Sequence, residues 1–159
     1  MADEQSFPPE SSDSTPLPAL LQLVQALTSA LPLTQARVES QLEVVLKPLP
    51  LQNNPAFTLL EGGHCFHDQI HRVELRLPNQ NTHRLDGLLI LSIAPTVEVS
   101  FSEVTQAFGA IYSLLMPHPR QPADAPMTYR FALAWGELRV GFSRDGADRL
   151  KTLVLDVNR

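Results

Sequence analysis

Apolar and polar residues alternate over the last part of the chain, from Met127 to Asn158. A period of two places one side of a β-strand on a core and the other side outside. Gly136 interrupts the pattern, so we expect a hairpin connection at Gly136–Glu137 and a second turn at Asp145–Gly146. The segment therefore predicts a three-stranded antiparallel meander. Its buried row is expected to contain Leu138, Val140, Phe142, Leu153, Leu155 and Val157.

Residues 16–31 have the apolar spacing of an amphipathic helix and contain no charged side chain. Ser14-Thr15-Pro16 precedes this pattern and is typical of a helix start, with a hydroxyl cap and a proline in the first turn. An uncharged helix is usually buried or lies in an interface. We interpret it as a cover for the sheet, and the alternative is a helix for self-association or partner docking.

The middle of the chain alternates between helical and strand-like patterns. Thr34 is expected to cap a second helix that reaches about Leu46, before two prolines stop it. Strands are expected at residues 57–62, 70–77 and 85–94. The last of these has a nearly continuous apolar run, which favours a central strand covered on both faces.

A third helix is predicted to begin at Ser100 or Ser102 and to reach about Met116. Gly109 would lie in its middle, where glycine costs up to about 1 kcal/mol relative to alanine. The stretch Pro117–Pro126 then contains four prolines and no periodic pattern. Long loops in compact domains often have functional roles, so this one is either a partner contact or a plain connector.

These elements predict an α+β fold, with a mostly antiparallel sheet packed against about three helices. A Phe-x-Leu-x-x-Gly spacing occurs at Phe57–Gly62 and again at Phe131–Gly136. This spacing raises two helix-plus-hairpin half-repeats as an alternative to an unrepeated sheet. Residues 1–14 are predicted to be a disordered tail, and residues 15–159 a single α+β domain.

Composition narrows the classes of function. A net charge of −5 disfavours a nucleic-acid partner, which needs clustered Lys and Arg, and it fits a basic protein partner. Apolar runs are too short for a membrane helix, so no membrane partner is expected. With one cysteine, Cys65, and no secretory signal pattern, a cytoplasmic location is the default expectation. No cofactor is predicted.

The densest group of chemically capable side chains lies between His64 and His71. His64, His67 and His71 are weak candidates for metal ligands, because a strand would point them to different faces and no second ligand cluster exists. Cys65 with a histidine base is a second enzymatic idea, although no catalytic motif accompanies it. A polar turn between strands is the favoured interpretation, and no catalytic or metal site is predicted.

Aromatic and cationic residues near the proline-rich loop are the better candidates for function. Trp, Tyr and Arg most often anchor protein interfaces, because each combines a large contact area with a polar group. The alternative for the tryptophan is a place in the core. The predicted partner-binding residues are Trp135, Tyr129, Tyr112, Arg130, His118 and Arg120.

The order helix, helix, strands, helix, strands over residues 16–158, with Phe108-Gly109 and a final hairpin closing on Leu-Val-Leu-Asp, resembles small α+β binding proteins. These include bacterial immunity proteins of type VI secretion and contact-dependent systems, and tandem helix-sheet inhibitors of β-lactamase. The resemblance implies a non-enzymatic protein that neutralises a toxin or effector. The alternatives are a secretion chaperone or adaptor, with a possible homodimer through helix 16–31, and a small metal protein or Cys/His enzyme.

Overall fold

An eight-stranded antiparallel sheet and three α-helices make up the described chain, which confirms the α+β prediction. The computed structural model describes residues 16–49, 57–79, 86–122, 125–144 and 149–158, and the predicted tail at 1–14 lies outside them. The helices are α1 (Ala19–Thr28), α2 (Gln35–Leu42) and α3 (Phe101–Phe108). The strands are β1 (Lys47–Pro48), β2 (Phe57–Gly62), β3 (Ile70–Pro78), β4 (Leu88–Ile93), β5 (Ser113–Leu115), β6 (Met127–Leu133), β7 (Gly136–Phe142) and β8 (Leu150–Val157).

The strand order β1-β2-β3-β4-β8-β7-β6-β5 divides the sheet into two four-stranded halves. Each half starts at an outer edge and ends in the centre, where β4 pairs with β8. The order of elements therefore repeats. The Phe-x-Leu-x-x-Gly segments are not equivalent, however, because Phe57–Gly62 forms β2 whereas Phe131–Gly136 spans the turn from β6 to β7.

One face of the sheet, which we call the covered face, packs against the helices in a single apolar cluster. The cross-strand pairs Leu75–Leu89, Leu89–Leu155 and Leu155–Leu138 place these fully buried leucines in one row across both halves. All six residues predicted for the buried row of the meander are buried. The helix residues in this cluster are Leu20, Leu21, Leu23, Val24, Leu27, Val38, Leu42 and Val104.

Helix α1 is shorter than the predicted helix at 16–31. Pro18 occupies its N-cap position with an extended backbone, and no side chain caps the helix. The proposed cap residues Ser14 and Thr15 lie outside the described residues. The apolar side of α1 is buried against the sheet, so its exposed side carries residues such as Gln22 and Gln25.

Helix α2 begins as predicted, because the Thr34 hydroxyl accepts a hydrogen bond from Arg37 N at 3.2 Å. The predicted end at about Leu46 was wrong. Glu43 adopts a left-handed backbone with φ of 55°, which stops the helix after Leu42. Leu46 then donates its N–H to Glu39 Oε2 at 2.8 Å, and the chain passes into β1.

Helix α3 has a capping box, in which Ser100 and Glu103 each bond the other's backbone N–H. Its predicted extension to Met116 was wrong, because Gly109 takes a φ of 90° and ends the helix. The following residues form β5 at the edge of the sheet, paired with β6.

The predicted meander is present as β6, β7 and β8, but the hairpin connection at Gly136–Glu137 was wrong. Leu133 pairs with Gly136, so Ala134–Trp135 form the two-residue turn and Glu137 belongs to β7. Gly136 has a φ of 146°, and a Cβ there would lie 2.2 Å from Asp156 O. The predicted turn at Asp145–Gly146 lies outside the described residues.

Strand β4 is central, as predicted, and its face opposite the helices is covered only in part. Leu89 and Leu91 are fully buried beneath the helices. On the opposite face Leu88 is buried, whereas Ile90 and Ser92 are half-buried. The apolar run therefore predicted the central position of β4 correctly, but it predicted more complete burial of the face opposite the helices than the structure has.

Candidate functional site

The face of the sheet opposite the described helices, which we call the open face, is formed mainly by polar side chains. Two of the cross-strand rows that cross it contain most of its charged side chains. The first row is Leu59, Arg76, Leu88, Asp156, Glu137 and Ala132. The second is Glu61, Glu74, Ile90, Val154, Arg139, Arg130 and Ser113. Side chains alternate between the two faces along each strand, so the pattern that buries the covered face also forms the open face.

Four charged groups and one tyrosine form a connected network on the half made by β5 to β8, which we call the Glu137 network. Both carboxylate oxygens of Glu137 accept hydrogen bonds from Arg130, one from Nε and one from Nη2 at 2.9 Å. Arg139 Nε donates to Glu137 Oε1 at 2.9 Å, and its Nη2 donates to Asp156 Oδ2 at 2.9 Å. The Tyr112 hydroxyl donates to Glu137 Oε2 at 2.9 Å. Two cations therefore balance two anions.

The position of Glu137 offsets an unfavourable cross-strand pair. Arg130 and Arg139 lie directly opposite each other on β6 and β7, and like charges at such positions repel. Glu137 bridges both. Its hydrogen bond from Arg130, with further ones from Arg139 and Tyr112, lowers its pKa to about 2. Because it stays ionised at neutral pH, this carboxylate fixes the arginines and is a poor general base.

The half made by β1 to β4 carries simpler ion pairs on the same face. Arg72 Nε lies 2.8 Å from Glu61 Oε1, and Arg76 Nη2 lies 2.8 Å from Glu74 Oε2. Between these pairs and the Glu137 network, Ile90 and Val154 are cross-strand neighbours and both are half-buried. The open face thus has an apolar centre between two charged flanks.

An exposed apolar segment adjoins the Glu137 network at the outer edge of the sheet. Tyr112, Leu114, Leu115 and Met116 are 52%, 41%, 45% and 62% exposed, and we call Tyr112–Met116 the apolar edge. The guanidinium carbon of Arg130 lies 5.1 Å from the centre of the Tyr112 ring, a cation–π distance. Val45, which is 72% exposed, is the other large apolar residue exposed in the described ranges.

The structure brings together only two of the six predicted partner-binding residues, Tyr112 and Arg130. Tyr129 is on the covered face, where its ring centre lies 4.6 Å from that of Phe101. Trp135 is half-buried in the β6–β7 turn and packs against the core, which matches the alternative interpretation.

The remaining two predicted residues lie in the loop that follows β5. His118 and Arg120 are both exposed, and His118 Nδ1 accepts a hydrogen bond from Arg120 N at 3.1 Å. His118 N also donates to Gln121 Oε1 at 2.9 Å, so these bonds hold a local turn. These hydrogen bonds lie within the loop and do not involve the Glu137 network.

The segment from His64 to His71 contains a tight turn at residues 66–69 and then enters β3. Phe66, His67 and Asp68 all have positive φ, and the ring centres of His64 and His71 are 6.4 Å apart. Across the described ranges, no three His, Cys, Asp or Glu side chains lie together in a way that could hold a metal ion. Burial raises the pKa of Cys65 to about 11, so its thiol is protonated at neutral pH and is a weak nucleophile.

Sequence reasoning missed Glu137, Arg139 and Asp156 as members of the site. Their signal is the polar side of the alternation in β7 and β8. This polar pattern identifies the three residues only when the hairpin turn is placed at Ala134–Trp135. That register brings Glu137 between Arg130 and Asp156.

Compared with protein-family models, curated proteins and solved structures, the chain has no match in any of the three. None of the three described helices combines the length and apolar character that a membrane crossing requires. The geometry of the open face and of the apolar edge is therefore the basis for a functional proposal.

Proposed function

We propose that the chain is a non-enzymatic protein-binding module of the cytoplasm, and that it acts as an inhibitor or immunity protein that neutralises a toxin or effector. The observation that carries the proposal is the open face. It is a broad sheet surface with the apolar pair Ile90–Val154 in its centre and ordered ion pairs on both sides.

This distribution matches the usual anatomy of protein interfaces, which have an apolar centre and a polar rim. Arginine and tyrosine are frequent anchors at such surfaces, and Arg130, Arg139 and Tyr112 lie together here. Their hydrogen bonds to Glu137 fix them before a partner arrives. Fixed side chains lose less conformational entropy on binding, which favours affinity.

Charge and reactivity support binding over catalysis. The net charge of −5 favours association with a basic toxin domain through long-range attraction. The two groups that would be most useful for catalysis are in unsuitable protonation states, since the Glu137 carboxylate has a pKa of about 2 and the Cys65 thiol one of about 11. A network with equal numbers of cations and anions is better suited to recognising a partner than to transferring protons.

The structure favours an inhibitor over a secretion chaperone or adaptor that docks through residues 16–31. The leucines of α1 that such docking would use are buried in the chain's own core. The side of α1 that remains exposed is glutamine-rich and offers little apolar area to a client segment.

The test is affinity purification of the tagged chain from its own cells with a high-salt wash, repeated with two variants. Ile90→Lys places a charge at a half-buried position in the centre of the open face, and Val45→Lys is the control that places the same charge at an exposed apolar position outside the two rows. We expect one stoichiometric partner with the wild type and the control, and at least about tenfold less with Ile90→Lys. Circular dichroism verifies that both variants fold.

The captured partner is then expressed alone and together with each variant. An inhibitor predicts that the partner is toxic alone, that the wild type and Val45→Lys restore growth, and that Ile90→Lys does not. A harmless partner that the chain stabilises before export would instead support a chaperone. Equal capture by all three proteins would remove the open face from the proposal.

A further inference from the structure

The two outer edges of the sheet differ in how they are protected against pairing with another strand. The first edge, β1, has only two residues, and these are an exposed lysine and an exposed proline, Lys47 and Pro48. Charge and proline both block strand addition. The other edge, β5, has neither. Its exposed residues Leu114 and Leu115 are followed directly by the exposed Met116.

We propose that the apolar edge pairs antiparallel with the same edge of a second copy, forming a homodimer in which two eight-stranded sheets become continuous. This interface lies outside the Ile90–Val154 centre of the open face, so the proposal does not depend on the proposed function. It also differs from a homodimer through residues 16–31, whose apolar side is buried.

The sequence of the apolar edge is self-complementary when it is paired about Leu114. Antiparallel pairing places Leu114 beside the partner's Leu114. Both leucines then lie on the covered side of the continuous sheet, since Leu114 pairs with Tyr129 on that side. Ser113 then lies beside the partner's Leu115, and no charged side chain occurs among the five residues. Every contact is made twice, as a two-fold axis requires.

Because the first edge is protected, the association stops at a dimer. A pairing of β5 with β1 of another copy would leave free edges at both ends and would extend indefinitely. Lys47 and Pro48 oppose that arrangement. Pro117 follows the apolar edge directly and has no N–H to donate, so the pairing is limited to a short segment.

The size of the interface sets the expected affinity. Stable complexes bury about 800 Å² on each partner, and a five-residue edge provides less than this. We therefore expect a dissociation constant on the order of 10–100 μM, in the range of weak and transient complexes.

The test is sedimentation velocity of the full chain from about 1 to about 300 μM, a range that brackets this constant. The wild type is expected to shift from monomer to dimer with concentration. Leu114→Lys puts two like charges directly opposite each other at the two-fold axis and should raise the dissociation constant about tenfold or more. Val45→Lys is the control near the opposite edge of the sheet, just before β1, and should associate as the wild type does.

A charge-pairing experiment tests the register itself. Leu114→Lys and Leu114→Glu are each expected to remain monomeric, and an equimolar mixture is expected to form heterodimers, because opposite charges then meet across the axis. Both substitutions are at a 41% exposed edge position, so the fold should tolerate them, and circular dichroism verifies this.

The proposal is overturned if the wild type stays monomeric at the highest concentration, which would leave the edge to the strand of another protein. It is also overturned if Leu114→Lys associates as strongly as the wild type, or if the mixture of the two charged variants fails to associate.

Discussion

The half of the sheet formed by β1 to β4 and the half formed by β5 to β8 have the same strand order and different surroundings. Helix α1 buries five apolar residues over the sheet, among them Leu20 and Leu21, whereas α3 buries only Val104 fully and leaves Phe101 and Phe108 partly exposed. The second half instead has the Glu137 network and the apolar edge. Helix α1 is therefore more deeply buried than α3, and the β5–β8 half displays most of the surface that we propose for recognition.

The largest expected effect is on stability and follows from the deeper burial of α1. Leu21→Ala removes a fully buried side chain from α1 and should lower the free energy of unfolding by about 3 kcal/mol, through lost burial and a residual cavity. Phe101→Ala in α3 should cost only about 1–2 kcal/mol, because its ring is half-buried to begin with. Urea unfolding of both variants measures the difference. Equal losses would contradict the contrast between the halves.

A smaller effect is expected from the ion pairs of the open face. Glu137→Gln weakens bonds to two arginines and should cost about 1–2 kcal/mol at neutral pH. Glu61→Gln in the first half is the matched control and should cost no more than about 0.5 kcal/mol, since its partner Arg72 is 53% exposed. If Glu61→Gln lowered the free energy of unfolding more than Glu137→Gln does, the Glu137 network would not be the more strongly bonded of the two flanks.

The contribution of Glu137 should depend on pH in a defined direction. Its pKa of about 2 in the folded chain lies below the ordinary value of 4.5, so ionisation favours folding. This stabilisation is complete above about pH 4.5 and disappears as the pH falls toward about 2. Unfolding free energies of the wild type and Glu137→Gln should therefore differ at neutral pH and converge in acid. A constant difference would mean that the carboxylate has no special environment.

The smallest effect is expected at the border between the Glu137 network and the apolar edge. Tyr112→Phe removes one exposed hydrogen bond to Glu137 and keeps the ring over which Arg130 lies. Its cost should be about 0.5 kcal/mol or less, a shift of about 1–2 °C in Tm. A loss as large as that of Glu137→Gln would show that the hydroxyl organises the network.

The sequence predicts best where one local signal decides the structure. The alternation from Phe131 to Val157 fixes which side chains of the meander are buried, and the hydroxyls of Thr34 and Ser100 indicate two helix starts. Strand β5 was missed because a short apolar run fits both a helix and a strand, and Gly109 was assigned to a helix interior. Its φ of 90° ends the helix there.

The candidate site was less predictable than the fold because it depends on register between distant segments. A turn misplaced by two residues removed Glu137 from β7, and with it the contact to Arg130. Asp156 and Tyr112 join the network only through the strand order, which local patterns do not specify. Two of the six candidate residues, Tyr112 and Arg130, are part of the network, and both were predicted from residue type alone.

The last strand in the sequence, β8, occupies the centre of the sheet between β4 and β7. During synthesis on the ribosome, the seven other described strands emerge before the one that joins the two halves. Until Leu150–Val157 leave the exit tunnel, β4 and β7 each present a bare edge, with residues such as Leu91 and Val140 unpaired. We expect the nascent chain to need protection from aggregation at this stage, because strands that are far apart in the sequence pair slowly.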